Sequence, residues 1–220
     1  FILCPPYSGS TLLNLIISSS QHVSCNNNTG TREGQLLPKV KEIMFQKNRW
    51  DESIKYPWEK IQKYWEKYWD PSKEIWLDKS CPNIMRANVI ENTFKNIDFI
   101  IMIRNPYAQT EGIIRRNKEN ATKAAEFSIQ CLKYQKRNLE SLKKTLFITY
   151  EDLVEKPEKI KKELIQFIPK LKDINIKKEF NSHNFKTKRK MKITNLNKEK
   201  IKRLSDQQIE EINKVYTREI

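Results

Sequence analysis

The opening segment, Phe1-Ile2-Leu3-Cys4-Pro5-Pro6-Tyr7-Ser8-Gly9-Ser10-Thr11-Leu12-Leu13-Asn14-Leu15-Ile16-Ile17, changes character twice. Residues 1–4 are a short apolar run of strand type. Residues 5–11 are a tight turn of Pro, Ser and Gly. Residues 12–17 read as the apolar side of a helix. A strand, a loop of small residues and a helix in that order aim backbone N–H groups and a helix N-terminus at a phosphate.

Outward from this segment the chain keeps alternating. Residues 74–77, Glu-Ile-Trp-Leu, read as a second strand ending at Asp78-Lys79-Ser80. Residues 98–103 are the clearest strand, continuously apolar as a parallel strand buried on both faces is. They end at Arg104-Asn105-Pro106. Residues 146–150 read as a further strand, followed at once by Glu151-Asp152-Leu153. Helices are predicted at 82–94, with Pro82 first, and at 106–116, 121–142 and 157–167. Ser205 caps a last one reaching Tyr216. A helical pattern holds Val40, Ile43 and Met44. Residues 58–69 place Trp58, Ile61, Trp65, Tyr68 and Trp69 near one helix face. Such a stripe packs a core more often than it lines an acceptor cleft. Residues 21–33 read as a polar connection, and 173–194 as basic and irregular.

Alternating strands and helices imply an α/β fold, a parallel sheet with helices on both faces. Ligands of such sheets bind at the carboxyl ends of the strands. That rule gathers residues 5–11, 78–80, Arg104 and 150–152. Without repeats or a convincing linker, residues 1–220 read as one domain.

Hydrophobic residues are 38% of the 220 and charged residues 31%, which fits a globular chain with a sizeable core. No apolar run reaches the roughly 18 residues of a membrane helix. The chain opens on a strand without an initiator Met, so a preceding segment is expected to be missing. With no signal segment present, a cytoplasmic location is the expectation. Cys4, Cys25, Cys81 and Cys131 are widely spaced and read as buried free thiols; with only His22 and His183, no metal site is expected.

The net charge is +15, and residues 155–203 hold 17 Lys and Arg against 6 Asp and Glu. A site for a polyanion, nucleic-acid binding and a solvated lysine-rich surface compete for this excess. The solvated surface accounts for most of these lysines, on the polar faces of helical patterns. No nucleic-acid partner is expected.

A triphosphate-binding loop ends in Gly-Lys-Ser/Thr. Here the triplet is Gly9-Ser10-Thr11, without Lys. The loop Pro6-Tyr7-Ser8-Gly9-Ser10-Thr11-Leu12 instead resembles the 5′-phosphosulfate loop of the sulfotransferases. Three further stretches fall in that family's order. Ile101-Met102-Ile103-Arg104-Asn105-Pro106, with Arg115-Arg116 beyond, resembles its 3′-phosphate segment. Thr149-Tyr150-Glu151-Asp152-Leu153 resembles its Tyr-Glu-Asp-Leu segment, and Lys192-Ile193-Thr194-Asn195-Leu196 its late Lys-x-x-Asn-Leu element. The layout is most similar to protein-tyrosine and carbohydrate-type sulfotransferases.

The resemblance implies a three-layer P-loop-like fold. It implies 3′-phosphoadenosine 5′-phosphosulfate (PAPS) as co-substrate, no metal, and sulfuryl transfer to a hydroxyl or amine of a glycan, a peptide or a small compound. It implies that Tyr7, Ser8, Gly9, Ser10, Thr11 and Leu12 surround the 5′-phosphosulfate. Arg104 and Arg116, with the position of Gly112, serve the 3′-phosphate. Tyr150, Lys188 and Lys192 are further nucleotide contacts. Glu33, in Arg32-Glu33-Gly34-Gln35, stands where relatives carry an acidic base, and Lys79 matches a lysine that touches the transferring group. Two positions depart from the pattern: Tyr7 replaces the loop cation, and Gly112 replaces a Ser. Lys79 and Arg32 are the candidates to supply the missing charge. A nucleotide-binding protein without catalysis is the alternative function.

Overall fold

The structure is a computed structural model that describes residues 1–177, 180–181, 190–191 and 193–219. Strand β1 (Ile2–Leu3) is followed by helix α1 (Ser10–Ile17), β2 (Val23–Cys25), α2 (Lys41–Met44), α3 (Trp58–Trp65) and β3 (Ile75–Leu77). A 3₁₀ turn at Cys81–Met85 leads to α4 (Ala87–Thr93), β4 (Phe99–Ile103), α5 (Pro106–Asn117) and α6 (Ala121–Ser141). Then come β5 (Thr145–Thr149), α7 (Tyr150–Glu155), α8 (Pro157–Phe167), the short antiparallel pair β6 (Phe180–Asn181) and β7 (Lys190–Met191), α9 (Asn197–Ile201) and α10 (Asp206–Glu219).

Strands β1, β4 and β5 form a parallel sheet in the order β1-β4-β5, and β2 pairs in parallel with β3. The Ile2 N–H donates to Asp78 O at 3.0 Å, joining β1 to the end of β3. The chain reverses direction across the sheet at β1, so the loop after β1 opens onto the crevice where such sheets bind ligands.

The apolar runs bury both faces. Ile2, Ile100, Met102 and Ile148 share one core with Leu13 and Ile16 of α1 and Ile160 and Leu164 of α8. Leu3, Phe99 and Ile101 point the other way, onto Ile61, Trp65, Ile90 and Cys131. This is the period-2 alternation of a strand, read out on two sides. Helix α6 is tied to the strand ends by Gln135, whose amide donates to Leu3 O at 2.8 Å and Met102 O at 3.0 Å. Among the described residues no helix is long and apolar enough to cross a membrane.

Local signals explain the helix starts. Asn105 accepts from Tyr107 and Ala108 N–H with Pro106 behind it, a capped start with Pro in the first turn. Asn120 caps α6 through Lys123 N. Ser205 and Gln208 exchange hydrogen bonds as a capping box at the start of α10.

Two expectations are corrected, and a third, that the aromatic stripe packs the core, is met. The connection at 21–33 contains β2, because pairing with β3 supplies hydrogen bonds that its short Val-Ser-Cys stretch does not advertise. The strand at 146–150 ends one residue early, and Tyr150 begins α7, capped by Thr149. The aromatic stripe belongs to the core rather than to an acceptor cleft: Trp58, Ile61, Trp65 and Trp69 are buried together, while Tyr68 is exposed. All four cysteines are free and buried.

Candidate active site

The turn after β1 carries unusual backbone. Tyr7 has φ 63° and Gly9 φ 86°, a left-handed pair that only Gly adopts freely. Gly9 also lies beneath Tyr150: a Cβ there would stand 2.4 Å from the ring's Cδ2. Gly9 is the residue from which α1 starts, and its side-chain-free cap leaves the first N–H groups of α1 open to a ligand. The Ser8 hydroxyl is buried and has no hydrogen-bond partner among the described residues.

Beside this loop, after β3, lies Asp78. It is fully buried and accepts from Asn26 Nδ2 (2.9 Å), Gly34 N (3.1 Å), Ser80 Oγ (3.1 Å) and Asn83 Nδ2 (2.9 Å). Burial pushes its carboxyl above the usual range, against those hydrogen bonds. These bonds fix the turn at Gly34 and so the neighbouring Glu33. A Cβ on Gly34 would stand 2.2 Å from Asp78 Oδ1 and 2.4 Å from Asn26 Nδ2. Gly34→Ala is expected to cost about 3 kcal/mol, a Tm drop of roughly 6–12 °C measurable by calorimetry.

Glu33 and Lys79 meet as a pair, Oε1 to Nζ 3.3 Å. Lys79 is 1% exposed, so it is not the surface lysine its position beside a helix suggests. Burial works against its ammonium, but Glu33, Cys81 and Cys4 outweigh that, and its pKa lies above the ordinary value. Gln35 Nε2 donates to the other Glu33 oxygen, and Asn27 Nδ2 to the Glu33 carbonyl at 2.8 Å. Arg32 is buried too, but its guanidinium is spent on Asn14 and on Asn28 Oδ1 (2.7 Å). It does not line the pocket, so of the two candidate replacement cations only Lys79 reaches it.

Arg104 ends β4, 4% exposed. Its Nε donates to Asn197 Oδ1 at 2.7 Å and its Nη1 to Tyr7 O at 3.3 Å, while its guanidinium lies 3.8 Å over the Tyr150 ring. Nη2 is buried without a partner among the described residues, and burial pulls the pKa below the ordinary arginine value. The Tyr150 hydroxyl donates to Thr194 O and accepts from Leu196 N, each at 3.1 Å. Tyr150 thus docks the late Thr194-Asn195-Leu196 stretch over the loop.

These groups border one pocket of about 480 Å³, within the usual span of small-ligand sites. Tyr7, Gly9, Ser10, Thr11, Leu12, Glu33, Lys79, Arg104, Arg116 and Tyr150 line it; Ser8 and Gly112 do not, Gly112 lying against the Tyr7 side chain. Lys188 and Lys192 lie outside the described residues. Leu36, Phe45, Arg49 and Trp50 wall the end near Glu33, and Lys200 lines the end near Arg104. Sequence reasoning missed these. Lys200 is one lysine in a basic third of the chain, and Asn197 carries no motif of its own. Among the described residues no group of three His, Cys, Asp or Glu is placed to hold a metal ion.

The two departures from the family pattern touch each other. The Tyr7 side chain fills the space beside Gly112, where a Cβ would stand 2.7 Å from Tyr7 Cβ and 2.8 Å from Cγ. The Tyr7 hydroxyl donates to Asn117 Oδ1 at 2.7 Å. Gly112→Ser alone is expected to destabilise the fold, and Tyr7→Gly, which removes the Cβ and Cγ that a side chain at 112 would meet and suits the left-handed backbone there, to relieve that cost. Denaturant unfolding of the single and double variants is expected to give a coupling energy of about 1–2 kcal/mol.

The sulfotransferase family profile matches residues 1–169. Among solved structures, the sulfotransferase domain from the curacin biosynthetic pathway is similar at TM-score 0.50 and 20% identity, over 78% of this chain and 75% of that one. The sulfotransferase domain of the Synechococcus PCC 7002 olefin synthase is similar at TM-score 0.57 and 16% identity, over 97% and 92%. At these identities the likeness is one of fold. Comparison with curated proteins returns no match.

Proposed function

The chain belongs to the sulfotransferase family, and we propose that it moves the sulfuryl group of PAPS onto a hydroxyl or amine acceptor. The observation that carries this reading is convergence. The phosphate-cradling loop, a buried arginine with an unpaired N–H face and a Glu–Lys pair all border one pocket. The residues fit a bisphosphorylated nucleotide: the Ser8 hydroxyl and Arg104 Nη2 are buried polar groups in want of an acceptor or donor.

When bound, PAPS supplies a sulfuryl group whose leaving group is a phosphate. Backbone N–H groups at 8–11 and the α1 dipole hold that phosphate's charge without a metal. Arg104, through Nη2, and Arg116 give a second phosphate charged donors. Lys79 places a positive charge at the junction, and the Glu33 carboxylate takes the proton from the acceptor hydroxyl as its oxygen attacks. Positioning of donor and acceptor in line does the remainder. The acceptor, a glycan, a peptide or a small hydroxyl compound, enters past Leu36, Phe45, Arg49 and Trp50.

Titration calorimetry with adenosine 3′,5′-bisphosphate tests the nucleotide half. Saturable one-to-one binding, tighter than that of 5′-AMP, is expected; equal binding of the two contradicts it. Tyr7 at the loop's cation position favours a second reading, a nucleotide-binding protein without turnover, which binds the bisphosphate and transfers nothing.

A further inference from the structure

The end of the pocket near Arg104 is crowded with cations. Glu111, buried on α5, is shared by three of them: Arg115 Nε at 2.6 Å, Arg203 Nη1 at 3.3 Å and Lys200 Nζ at 3.8 Å. Arg104 and Arg116 line the same end. Two carboxylates, Glu111 and, beside Arg104, Glu151, therefore stand among five positive groups, and Arg104 Nη2 has no partner among the described residues. Of these cations Arg104 and Lys200 are the largely buried ones, and buried charge short of counterions is costly. A site with this imbalance is built for an anion.

Lys200 reaches this end from α9. Its Nζ donates to Ala108 O at 3.2 Å and stands 3.1 Å from where a Cβ on Gly112 would lie. The missing side chain at 112 thus lets a lysine from α9 reach the pocket lining, beside Tyr7. Resting on the nucleotide reading of the pocket, we propose that Lys200 recognises the second phosphate of the nucleotide, as a cation supplied by the C-terminal region at the place where Gly112 offers no hydroxyl.

A proton accompanies this contact. In the free protein, burial, and then repulsion from Arg104, outweigh the help of Glu111; with Arg115 and Arg203 adding to the repulsion, the Lys200 pKa falls to about 7. A phosphate dianion against Nζ reverses that balance and raises it. Below pH 7 the free lysine already holds its proton, so binding takes up little. At pH 8 the free lysine is mostly neutral, and binding draws in about 0.9 proton per nucleotide. Phosphate itself, with a second pKa near 6, is a dianion there and contributes little.

Calorimetry of adenosine 3′,5′-bisphosphate at pH 8, in two buffers of different ionisation enthalpy, reads the proton directly. The wild-type protein is expected to take up close to one proton, and to take up none with 5′-AMP. Lys200→Met is expected to weaken bisphosphate binding by about 10-fold or more, leave 5′-AMP binding within about two-fold, and abolish the uptake. Lys200→Arg, always charged, is expected to keep the affinity and lose the uptake. An unlinked wild-type titration, or a Lys200→Met protein that keeps its affinity or loses both nucleotides equally, overturns the proposal. Failure of the wild-type protein to bind bisphosphate at any pH overturns the nucleotide reading itself, and the proposal with it.

Discussion

Glu33→Gln is expected to lower kcat by about 10²–10⁴-fold while the Kd for adenosine 3′,5′-bisphosphate stays within about two-fold. The substitution keeps the shape of the side chain and the capacity to meet Lys79 Nζ, now 3.3 Å from Oε1. What it removes is the oxygen that, in the proposed mechanism, accepts the acceptor's proton. Glu33 is placed for that role by the buried Asp78, which pins the following Gly34 N–H at 3.1 Å, and by Asn27 on the Glu33 carbonyl. Single-turnover transfer measured beside equilibrium binding separates chemistry from affinity. Unchanged kcat with intact binding places the base elsewhere.

Arg104→Gln has the second large effect, and it acts on binding. Arg104 brings its unpaired Nη2 to the pocket and at the same time holds Asn197, Tyr7 O and the Tyr150 ring. A charge-assisted hydrogen bond is worth about 1.5–3 kcal/mol, so Kd for the bisphosphate is expected to rise by roughly 10–100-fold. Because Tyr150 in turn docks Thr194 and Leu196, the variant is also expected to loosen the C-terminal cover. Hydrogen exchange at the Leu196 N–H reports that loosening directly. A variant with unchanged affinity places the second phosphate away from Arg104.

The parts of this site that were legible in the sequence are those whose chemistry is local. Phe1 to Ile17 announces strand, turn and helix within one stretch, and Phe99–Ile103 is apolar at every position because both faces are covered. Arg104, Tyr150 and Lys79 follow from standing directly after strands of a parallel sheet. What escaped the sequence depends on partners far along the chain. Strand β2 exists because β3 pairs with it. Arg32 looked like a free cation, but Asn14 and Asn28 consume it. Tyr7 and Gly112 looked like two separate losses, and they are one packing arrangement across 105 positions. Lys200 stands out only when α9 is laid against α5.

The central claim is that this pocket transfers sulfate rather than merely holding a nucleotide. The most direct measurement is incubation of the protein with sulfur-labelled PAPS and a mixed panel of glycans, tyrosine-containing acidic peptides and small hydroxyl compounds. Label is expected to move onto at least one acceptor class, and to stop moving in Glu33→Gln. Saturable binding of the nucleotide with no label transferred to any acceptor contradicts the claim.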